Sequence, residues 1–599
     1  MSSYWSSMLQ HRLSRRRALA ATGATAAGAA FLAACGGGDT KVGSGDKSGL
    51  VASMVDETKA IKRGGNFAAG IRGGGYVHMD PHSAVIQPYG YFYSNLVKMK
   101  LGYMDSPDGV IEGDLFESWE LSPDKLQITG KINPKAQFAP VAPVNGRMVD
   151  AGDITASWQR FSQIGSYRNE LVNSVEPTAP ILSLASTDDR TIVIKIKEPF
   201  APIFSMLAAS RSGNFNIIPR EALDQKVLDI RTTPVGSGPW MIKDWRPSSD
   251  IVYTRNPNYK HDKLGEVPYA DTYQGFFITE TAVHTAQLKA GNIFYSQFFP
   301  KEEVLRTKVA QPELSMYPTN LNPDSSNSIG IIFGKLPDSP FKDDRVRKAT
   351  YMSYDHGIVN DTLANSAEYK NAGLPVDSYL ENSLPAFMPG DWYLNPESKD
   401  FGPNAKYFKE NLPEAKKLLA AAGFANGVDT VLHYPPGYNP NIIRKIETFL
   451  GEFGRTGLIR YKIDLVDYNV EWTPKYRLIR GQIPDLALIN ATSASADPTL
   501  HLLQKYHSSG AAYFHGTDAT NEELLNKAVR EFDDAKRKAL LHEVQRNEAA
   551  MLHFPLGAGT AGAYELLWPA VRNWGVYQGE RENYRTVWLD RTKPPFTKA

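Results

Sequence analysis

The order of apolar and polar residues along the chain predicts a mixture of strands and helices from about residue 62 onward. Short runs with a period-two or continuous apolar pattern predict half-buried or buried strands at 191–196, 251–254 and 461–466. Between such runs, apolar residues recur at helical spacing. No pattern repeats at a fixed period, so the chain is predicted to be an α/β protein without an internal repeat.

Helix predictions come with their own start and stop signals. Pro413 and Glu414 stand in the first turn of one predicted helix, and Gly423 ends its pattern. A second helix is predicted over 521–532, and a third is predicted to be capped by Asp533 or Asp534. The second helix places Leu524, Leu525, Ala528 and Phe532 on one face. The third places Leu540, Leu541 and Val544 on one face.

Composition excludes several classes of protein. The 599 residues carry 66 Lys and Arg against 65 Asp and Glu, and no basic block occurs beyond the N-terminus. Because nucleic-acid binding requires a basic surface, we expect no nucleic-acid partner. The length predicts three or four domains. Cys35 is the only cysteine, so stability has to come from a large core and not from internal disulfides.

The N-terminus has the pattern of an export signal. A basic segment at 11–17 precedes the uncharged segment 18–32, which is too short and too weakly apolar for a permanent span. Ser14-Arg15-Arg16-Arg17-Ala18-Leu19 resembles the twin-arginine motif. Ordinary Sec export remains the alternative.

Leu32-Ala33-Ala34-Cys35 resembles the bacterial lipobox, in which the cysteine thiol receives a diacylglycerol. We therefore expect residues 1–35 to be a signal peptide and Cys35 to be the lipidated N-terminus. Residues 36–61, rich in Gly, Ser, Asp and Lys, are expected to form a flexible tether. The predicted location is the outer face of the cytoplasmic membrane, on the periplasmic or extracellular side.

Seven separated segments resemble segments of one protein family and occur in the same order as in that family. They are 63–82, 114–120, 145–158, 236–245, 255–259, 340–355 and 414–424. The most specific is Gly236-Ser237-Gly238-Pro239-Trp240. Its chemistry alone predicts a turn in which Gly supplies a positive φ and Pro a fixed one. Together the segments resemble family 5 of the bacterial extracellular solute-binding proteins, which includes the peptide, dipeptide and nickel receptors of ABC importers.

The resemblance implies an α/β, periplasmic-binding-protein-like fold (type II, class C) with two lobes, an extra inserted domain and hinge closure. The implied boundaries are 62–101, 233–315 and 557–599 for domain I, 102–232 for inserted domain II, and 316–556 for domain III. It further implies a monomeric ligand-capturing subunit that delivers solute to an ABC permease and ATPase. No enzymatic activity, cofactor or resident metal is expected.

The resemblance also indicates which side chains line the ligand cavity. Trp472 stands at the spacing of a pocket-lining Trp, and we expect Trp472→Ala to weaken ligand binding more than folding. A strand and loop ending in Asp497-Pro498 would form one wall, and the tyrosines after the Asp-Pro-His turn another. The candidate ligand-binding residues are Tyr89, Tyr91, Trp472, Asn490, Thr492, Ser493, Ser495 and Asp497.

The predicted wall departs from the family's oligopeptide binders. The position of the Asp that pairs with a peptide α-amine is Ala494 here, and Leu488 and Ala491 stand where Arg and Trp can occur. Because a buried ammonium needs a countercharge, the sequence leaves two ligand classes open. One is a peptide-type ligand, and the alternative is a neutral oligosaccharide or another non-peptide solute, including a metal complex.

Rival functions receive little support from motifs. The chain contains no Gly-x-Ser-x-Gly and no His-Glu-x-x-His. His78 and His82 are spaced like metal ligands, but Pro81 interrupts any helix through them, and the segment fits the family's turn better. A chemosensory receptor without a permease would share the same fold.

Overall fold

Three larger β-sheets organise the protein in a computed structural model. Its described residues belong to one body, Gly45–Ala599. The structure describes residues 46–599 with the exception of 73–75, 77, 84–90, 106, 209–214, 262, 297–298, 320–328, 387, 389, 436–439, 468–469, 473–482, 491–496, 511–517, 558–559, 579–582 and 598–599.

The largest sheet has seven strands drawn from three separated stretches of chain. Asn66–Arg72 lies near its middle and pairs in parallel with a strand on each side. All the other strand pairs in it are antiparallel. We call this the large sheet, and its strand order is Ser315–Pro318, Tyr564–Leu567, Tyr295–Ser296, Asn66–Arg72, Thr272–Ile278, Asp250–Arg255 and Trp240–Arg246.

A four-stranded antiparallel sheet is formed by chain that lies between the first two strands of the large sheet. Helix Ala151–Ile164 packs against it and begins with a capping box, in which Asp150 and Asp153 accept from each other's backbone N–H groups. One continuous core joins this sheet to the large sheet. Its strand order is Phe116–Leu121, Gln127–Ile132, Thr191–Ile196 and Ile181–Asp188.

The third sheet, here the mixed sheet, is buried on both faces along its first two strands. Ile329, Ile331 and Phe333 belong to one apolar cluster, while Ile332 belongs to another on the opposite face. Double burial explains why Ile329–Phe333 and Leu486–Asn490 are almost continuously apolar, whereas Ile459–Leu465 is largely exposed. The strand order is Ile329–Phe333, Leu486–Asn490, Val428–Tyr434 and Ile459–Leu465, of which the first pair is antiparallel and the others are parallel.

The remaining elements are short strands and helices. The two-stranded pairs are Val97–Met99 with Ile111–Gly113, Gly102–Tyr103 with Tyr577–Gln578, Ser378–Tyr379 with Thr560–Ala561, and Val571–Arg572 with Trp588–Leu589. The other α-helices are Arg168–Leu171, Ile203–Ala208, Thr281–Ala290, Lys301–Ala310, Asp344–Tyr351, His356–Ala364, Ser366–Asn371, Leu412–Ala421, Pro440–Phe453, Pro498–Tyr506, Ala519–Ala528, Asp534–Met551 and Asn583–Thr586. Among the helices of the described residues, none combines the length and apolar character that a membrane span requires.

The pattern-based predictions are confirmed, with boundaries that differ by a few residues. The three predicted strands occur at Thr191–Ile196, Asp250–Arg255 and Ile459–Leu465, and the helix with Pro413 in its first turn occurs at Leu412–Ala421. The helix predicted over 521–532 ends earlier, at Ala528. After Ala528 the chain leaves the helix, the carbonyl of Val529 accepts from the backbone N–H of Ala201, and Asp533 caps the next helix.

The Gly236-Ser237-Gly238 segment corrects one expectation. The left-handed φ expected for these glycines does not occur. Instead, a Cβ on Gly236 would lie 1.7 Å from the carbonyl oxygen of Phe92, and one on Gly238 would lie 2.8 Å from the carbonyl carbon of Phe92. The glycines are therefore required by the close approach of two backbones, which fixes the segment that carries Tyr91 and Phe92.

Candidate functional site

One face of the large sheet is rich in aromatic side chains. Residues directly opposite each other in a sheet share a face, and so do alternate residues of one strand. The register pairs Tyr253 with Tyr273, Tyr273 with Phe67, and Ala69 with Tyr295. It then pairs Tyr295 with Leu567, and Tyr317 with Glu565. The face therefore carries, from one side of the sheet to the other, Tyr253, Tyr273, Phe67, Tyr295, Glu565 and Tyr317.

Rings from outside the sheet pack onto this face. Tyr584, in the short helix Asn583–Thr586, has its ring 4.8 Å from that of Tyr273. The ring of Trp574 lies 4.7 Å from Tyr295 and 6.1 Å from Tyr584. These are the distances of favourable aromatic pairs, so the cluster is both a core and a rigid surface.

Part of this cluster is open to solvent. Tyr295, Tyr317, Tyr584 and Glu565 each keep accessible surface. Burial nevertheless raises the pKa of the three tyrosines and of Glu565. Partly exposed side chains at the edge of an aromatic cluster are placed to line a cleft. We name these four residues, together with Trp574, the aromatic cleft.

Glu565 is the acidic group of the aromatic cleft. The Trp574 Nε1–H donates to its Oε1 over 2.7 Å, and the Tyr295 hydroxyl is its second hydrogen-bond partner. Burial raises the pKa of the Glu565 carboxyl from its ordinary 4.5 to about 7. The cleft therefore combines flat apolar ring faces with one carboxyl group, an arrangement that suits a partly apolar ligand with polar ends.

The tyrosine predicted after the Asp-Pro-His turn lies next to the cleft. Tyr91 is 8% exposed, and its ring lies 5.9 Å from that of Tyr584 and 5.7 Å from that of Tyr273. Its predicted companion Tyr89 lies outside the described residues, as do Thr492, Ser493, Ser495 and Cys35. The roles of these residues remain predictions.

The other predicted residues belong to the mixed-sheet part of the molecule. Trp472 has no exposed surface and lies in the apolar cluster that contains Ile332 and Ala487. Asn490 ends the strand Leu486–Asn490, opposite Ile329. The structure thus packs Tyr91 against the large sheet and Trp472 against the mixed sheet, and their shared role in ligand binding remains a prediction.

Asp497 has a clear structural task. Its Oδ1 accepts from the backbone N–H groups of Thr499 and Leu500, which caps helix Pro498–Tyr506. Its Oδ2 accepts from the Ser205 hydroxyl over 2.9 Å. These bonds engage both carboxylate oxygens, so a ligand contact by Asp497 remains a prediction that would have to coexist with them.

The Asp-Pro-His segment is held in place by hydrogen bonds. Arg160 donates to both oxygens of Asp80, over 2.9 and 2.6 Å, and its guanidinium lies 3.1 Å from His82 Nδ1. His82 Nε2 lies 2.8 Å from the carbonyl oxygen of Asn216. Burial lowers the pKa of His82 to about 4, so the ring is neutral and both nitrogens are used. Within the described part of the chain, no group of three His, Cys, Asp or Glu side chains is placed to hold a metal ion.

Sequence reasoning missed all five residues of the aromatic cleft, Tyr295, Tyr317, Trp574, Tyr584 and Glu565. A signal for Glu565 was present, since it interrupts the apolar run Ala563-Tyr564-Glu565-Leu566-Leu567-Trp568. The aromatic residues carried no such signal because tyrosines and tryptophans occur throughout the chain, and only strand pairing brings these together.

Comparisons with known proteins agree on one family. The family model described as bacterial extracellular solute-binding proteins, family 5, matches residues 110–543. The chain is 25% identical over 477 residues to heme-binding protein A of Haemophilus influenzae, which covers 76% of this chain and 79% of that protein. It is 26% identical over 288 residues to the probable D,D-dipeptide-binding periplasmic protein DdpA of Escherichia coli, where the match spans 47% of this chain and 51% of that protein.

A solved structure shows the same fold. The periplasmic binding protein DppA from Helicobacter pylori, in complex with peptide STSA, matches with a TM-score of 0.65 at 20% identity. The match covers 89% of this chain and 99% of that chain. The α/β fold predicted from the sequence motifs, that of the periplasmic binding proteins, is therefore confirmed.

Proposed function

The chain belongs to family 5 of the bacterial extracellular solute-binding proteins, and from this premise we propose that it captures a peptide-class ligand for an ABC importer. Members of this family are periplasmic or extracellular and work with an ABC permease and ATPase. The observation that carries the proposal is the aromatic cleft, which offers ring faces and a carboxyl in one solvent-accessible place. The peptide-binding names of DdpA and DppA support the same ligand class.

A thermal-shift screen of the purified full chain tests this function. The probes are dialanine and tetraalanine, with maltotriose as a neutral comparison. A ligand present at 100 times its dissociation constant adds about 2.7 kcal/mol to stability, which is easily seen as a rise in melting temperature. A rise with either peptide supports the proposal. Unchanged melting with both peptides, at concentrations up to the millimolar range, contradicts it.

A neutral solute is the second candidate, and one feature of the sequence favours it. Ala494 stands where the family's oligopeptide binders carry the Asp that pairs with an α-amine. Ring faces such as those of Tyr295 and Tyr584 also stack on the apolar faces of sugars. A melting shift with maltotriose and none with the peptides would select this alternative.

We also propose that Cys35 carries the lipid that holds a monomeric receptor at the outer face of the cytoplasmic membrane. The lipobox Leu32-Ala33-Ala34-Cys35 between basic and Gly-rich segments supports this. Acyl chains bind a bilayer through about 0.8 kcal/mol per buried methylene. Cys35→Ala in the native host should abolish labelling by radioactive palmitate and move the protein from the membrane fraction. A variant that retains its label would contradict the proposal.

A further inference from the structure

Glu565 stands at a position where the sheet would favour an apolar residue. Its neighbours Tyr564 and Leu566 are 4% and 1% exposed, and its own side chain lies on the aromatic face of the large sheet. An ionised carboxyl in such surroundings is unfavourable unless a partner compensates it. An ionised Glu565 carboxyl therefore requires a partner that compensates its charge.

Among the residues that the structure describes, the hydrogen-bond partners of Glu565 are neutral. Trp574 and Tyr295 donate hydrogen bonds to it, and neither carries a charge. The nearby guanidinium of Arg572 is engaged by Glu57, whose carboxylate accepts from both Nε and a terminal nitrogen. Within the part of the chain that the structure describes, no basic side chain forms an ion pair with Glu565.

A charged partner can reach Glu565 from the solvent. Glu565 keeps accessible surface, as do the rings of Tyr295 and Tyr584 beside it. Trp574 lies between these two rings, 4.7 and 6.1 Å from them. A cation that approaches the carboxyl thus also meets aromatic faces, which attract cations through their quadrupoles.

We propose that Glu565 anchors a positively charged group of the ligand, which the rings of Tyr295, Trp574 and Tyr584 enclose. This deepens the proposed function and rests on solute capture in the aromatic cleft. The chemistry fits a primary ammonium or a guanidinium. Its source is either the α-amine of a peptide or a basic side chain within it. The anchor lies on the large sheet and is not one of the residues of the predicted wall at 490–497, where Ala494 stands in place of the family's countercharge.

A pH dependence follows from the groups that face this position. They are Tyr295, Tyr317 and Tyr584, whose pKa values are raised by burial, and beyond them the Arg572–Glu57 pair. The three tyrosines and Arg572, whose pKa values are all raised, keep one protonation state between pH 5.5 and 7.5. Since the pKa of Glu565 is about 7 without ligand, affinity for a cation should rise across this range, with a limiting slope of about tenfold per pH unit.

The test compares Glu565→Gln with the wild type in the full chain. Gln keeps an acceptor for Trp574 but cannot ionise. The probes at pH 7.5 are trialanine, N-acetyl-trialanine, N-acetyl-lysine amide and choline. We expect Glu565→Gln to weaken binding of at least one cationic probe by about tenfold or more, and to leave N-acetyl-trialanine unaffected. Trialanine and N-acetyl-lysine amide distinguish an α-amine from a side chain. Glu221→Gln is the matched control. It changes a carboxylate that is paired with Arg147 on a different element, and it should not alter the affinity for any of the probes.

The outcomes separate the anchor from the peptide function. If the peptides do not bind but another cation binds in a Glu565-dependent manner, the peptide proposal fails and the anchor stands. If peptides bind wild type and Glu565→Gln equally, the anchor is wrong while the peptide function stands. If no cationic probe shifts the melting temperature of the wild type more than that of Glu565→Gln, the anchor is also wrong.

Discussion

At the scale of single residues, Glu565 couples the aromatic cleft to stability. Its pKa in the unliganded protein, about 7, is above the ordinary value of 4.5. The folded state therefore holds the proton more tightly than the unfolded state does. Stability is unaffected by this group below pH 4.5 and falls as the pH rises from there to about 7. A site that binds a cation would thus weaken the empty protein.

We predict that Glu565→Gln removes this loss of stability at rising pH. Relative to wild type, the variant should gain about 2 to 3 kcal/mol of unfolding free energy between pH 5 and pH 8. Urea denaturation at the two pH values measures the gain. Glu221→Gln should instead lose stability by a similar amount at both pH values, because the hydrogen bond from Arg147 lowers the pKa of Glu221 and its stabilising effect is already complete above pH 4.5. An equal response of wild type and Glu565→Gln to pH would contradict the prediction.

The role of Trp472 in ligand binding is tested better by a conservative substitution than by Trp472→Ala. It has no exposed surface, so Trp472→Ala should cost about 3 to 5 kcal/mol of unfolding free energy through the cavity it leaves. Trp472→Phe keeps most of the packing. We predict that Trp472→Phe lowers affinity for the bound peptide while the melting temperature falls by only a few degrees. Calorimetric titration that gives the wild-type dissociation constant would rule out a role in the ligand wall.

The candidate site was predictable only where the family resemblance named a position. Tyr91 was found in this way, and it does pack beside the aromatic cleft. Glu565 and Trp574 were missed because their meeting depends on strand pairing across the large sheet and on a ring from a separate segment. Nothing in the local sequence around Glu565 or Trp574 indicates that their side chains lie close together.

At the scale of elements, close backbone packing explains residues that looked like turn formers. Gly236 and Gly238 hold the loop beside Phe92, with the N–H of Gly238 donating to the carbonyl oxygen of Phe92 over 3.0 Å. The loop also accepts from the side chain of Asn256. This contact ties the start of strand Trp240–Arg246 to the segment that carries Tyr91.

Gly236→Ala should destabilise the protein by about 2 kcal/mol or more, because its Cβ would lie 1.7 Å from a backbone oxygen that cannot turn away. The matched control is Gly451→Ala in the helix Pro440–Phe453, where a Cβ meets nothing within 4 Å. That change should raise stability by about 0.5 to 1 kcal/mol through helix propensity. Chemical denaturation of the two variants compares them, and similar midpoints would refute the steric argument.

At the scale of the whole molecule, contacts join the inserted antiparallel part to the mixed-sheet part. Ser205 donates to Asp497, the N–H of Ala201 donates to the carbonyl of Val529 over 2.6 Å, and Glu198 pairs with Arg530. These contacts bridge chain segments about 300 residues apart. We propose that they belong to a closed arrangement of the predicted hinged domains.

On this basis Ser205→Ala should favour a more open molecule. The bond to the Asp497 carboxylate is worth about 1.5 to 3 kcal/mol, so its loss shifts a two-state balance by at least about tenfold. X-ray scattering without ligand should show a larger radius of gyration. Ser162→Ala, which removes only a bond within helix Ala151–Ile164, should leave it unchanged. Identical scattering from wild type and Ser205→Ala would exclude this role.

The sequence by itself determined the local elements and the family. Apolar periodicity placed strands such as Thr191–Ile196, and side chains such as Asp533 placed helix starts, because both act over a few neighbouring residues. Only the tertiary structure decided the aromatic cleft. Its members come from strands, a turn and a short helix between residues 295 and 584, and long-range pairing, which no local pattern encodes, sets which strand residues share a face. Enclosure by that pairing, and not the identity of the residue, gives Glu565 its unusual pKa.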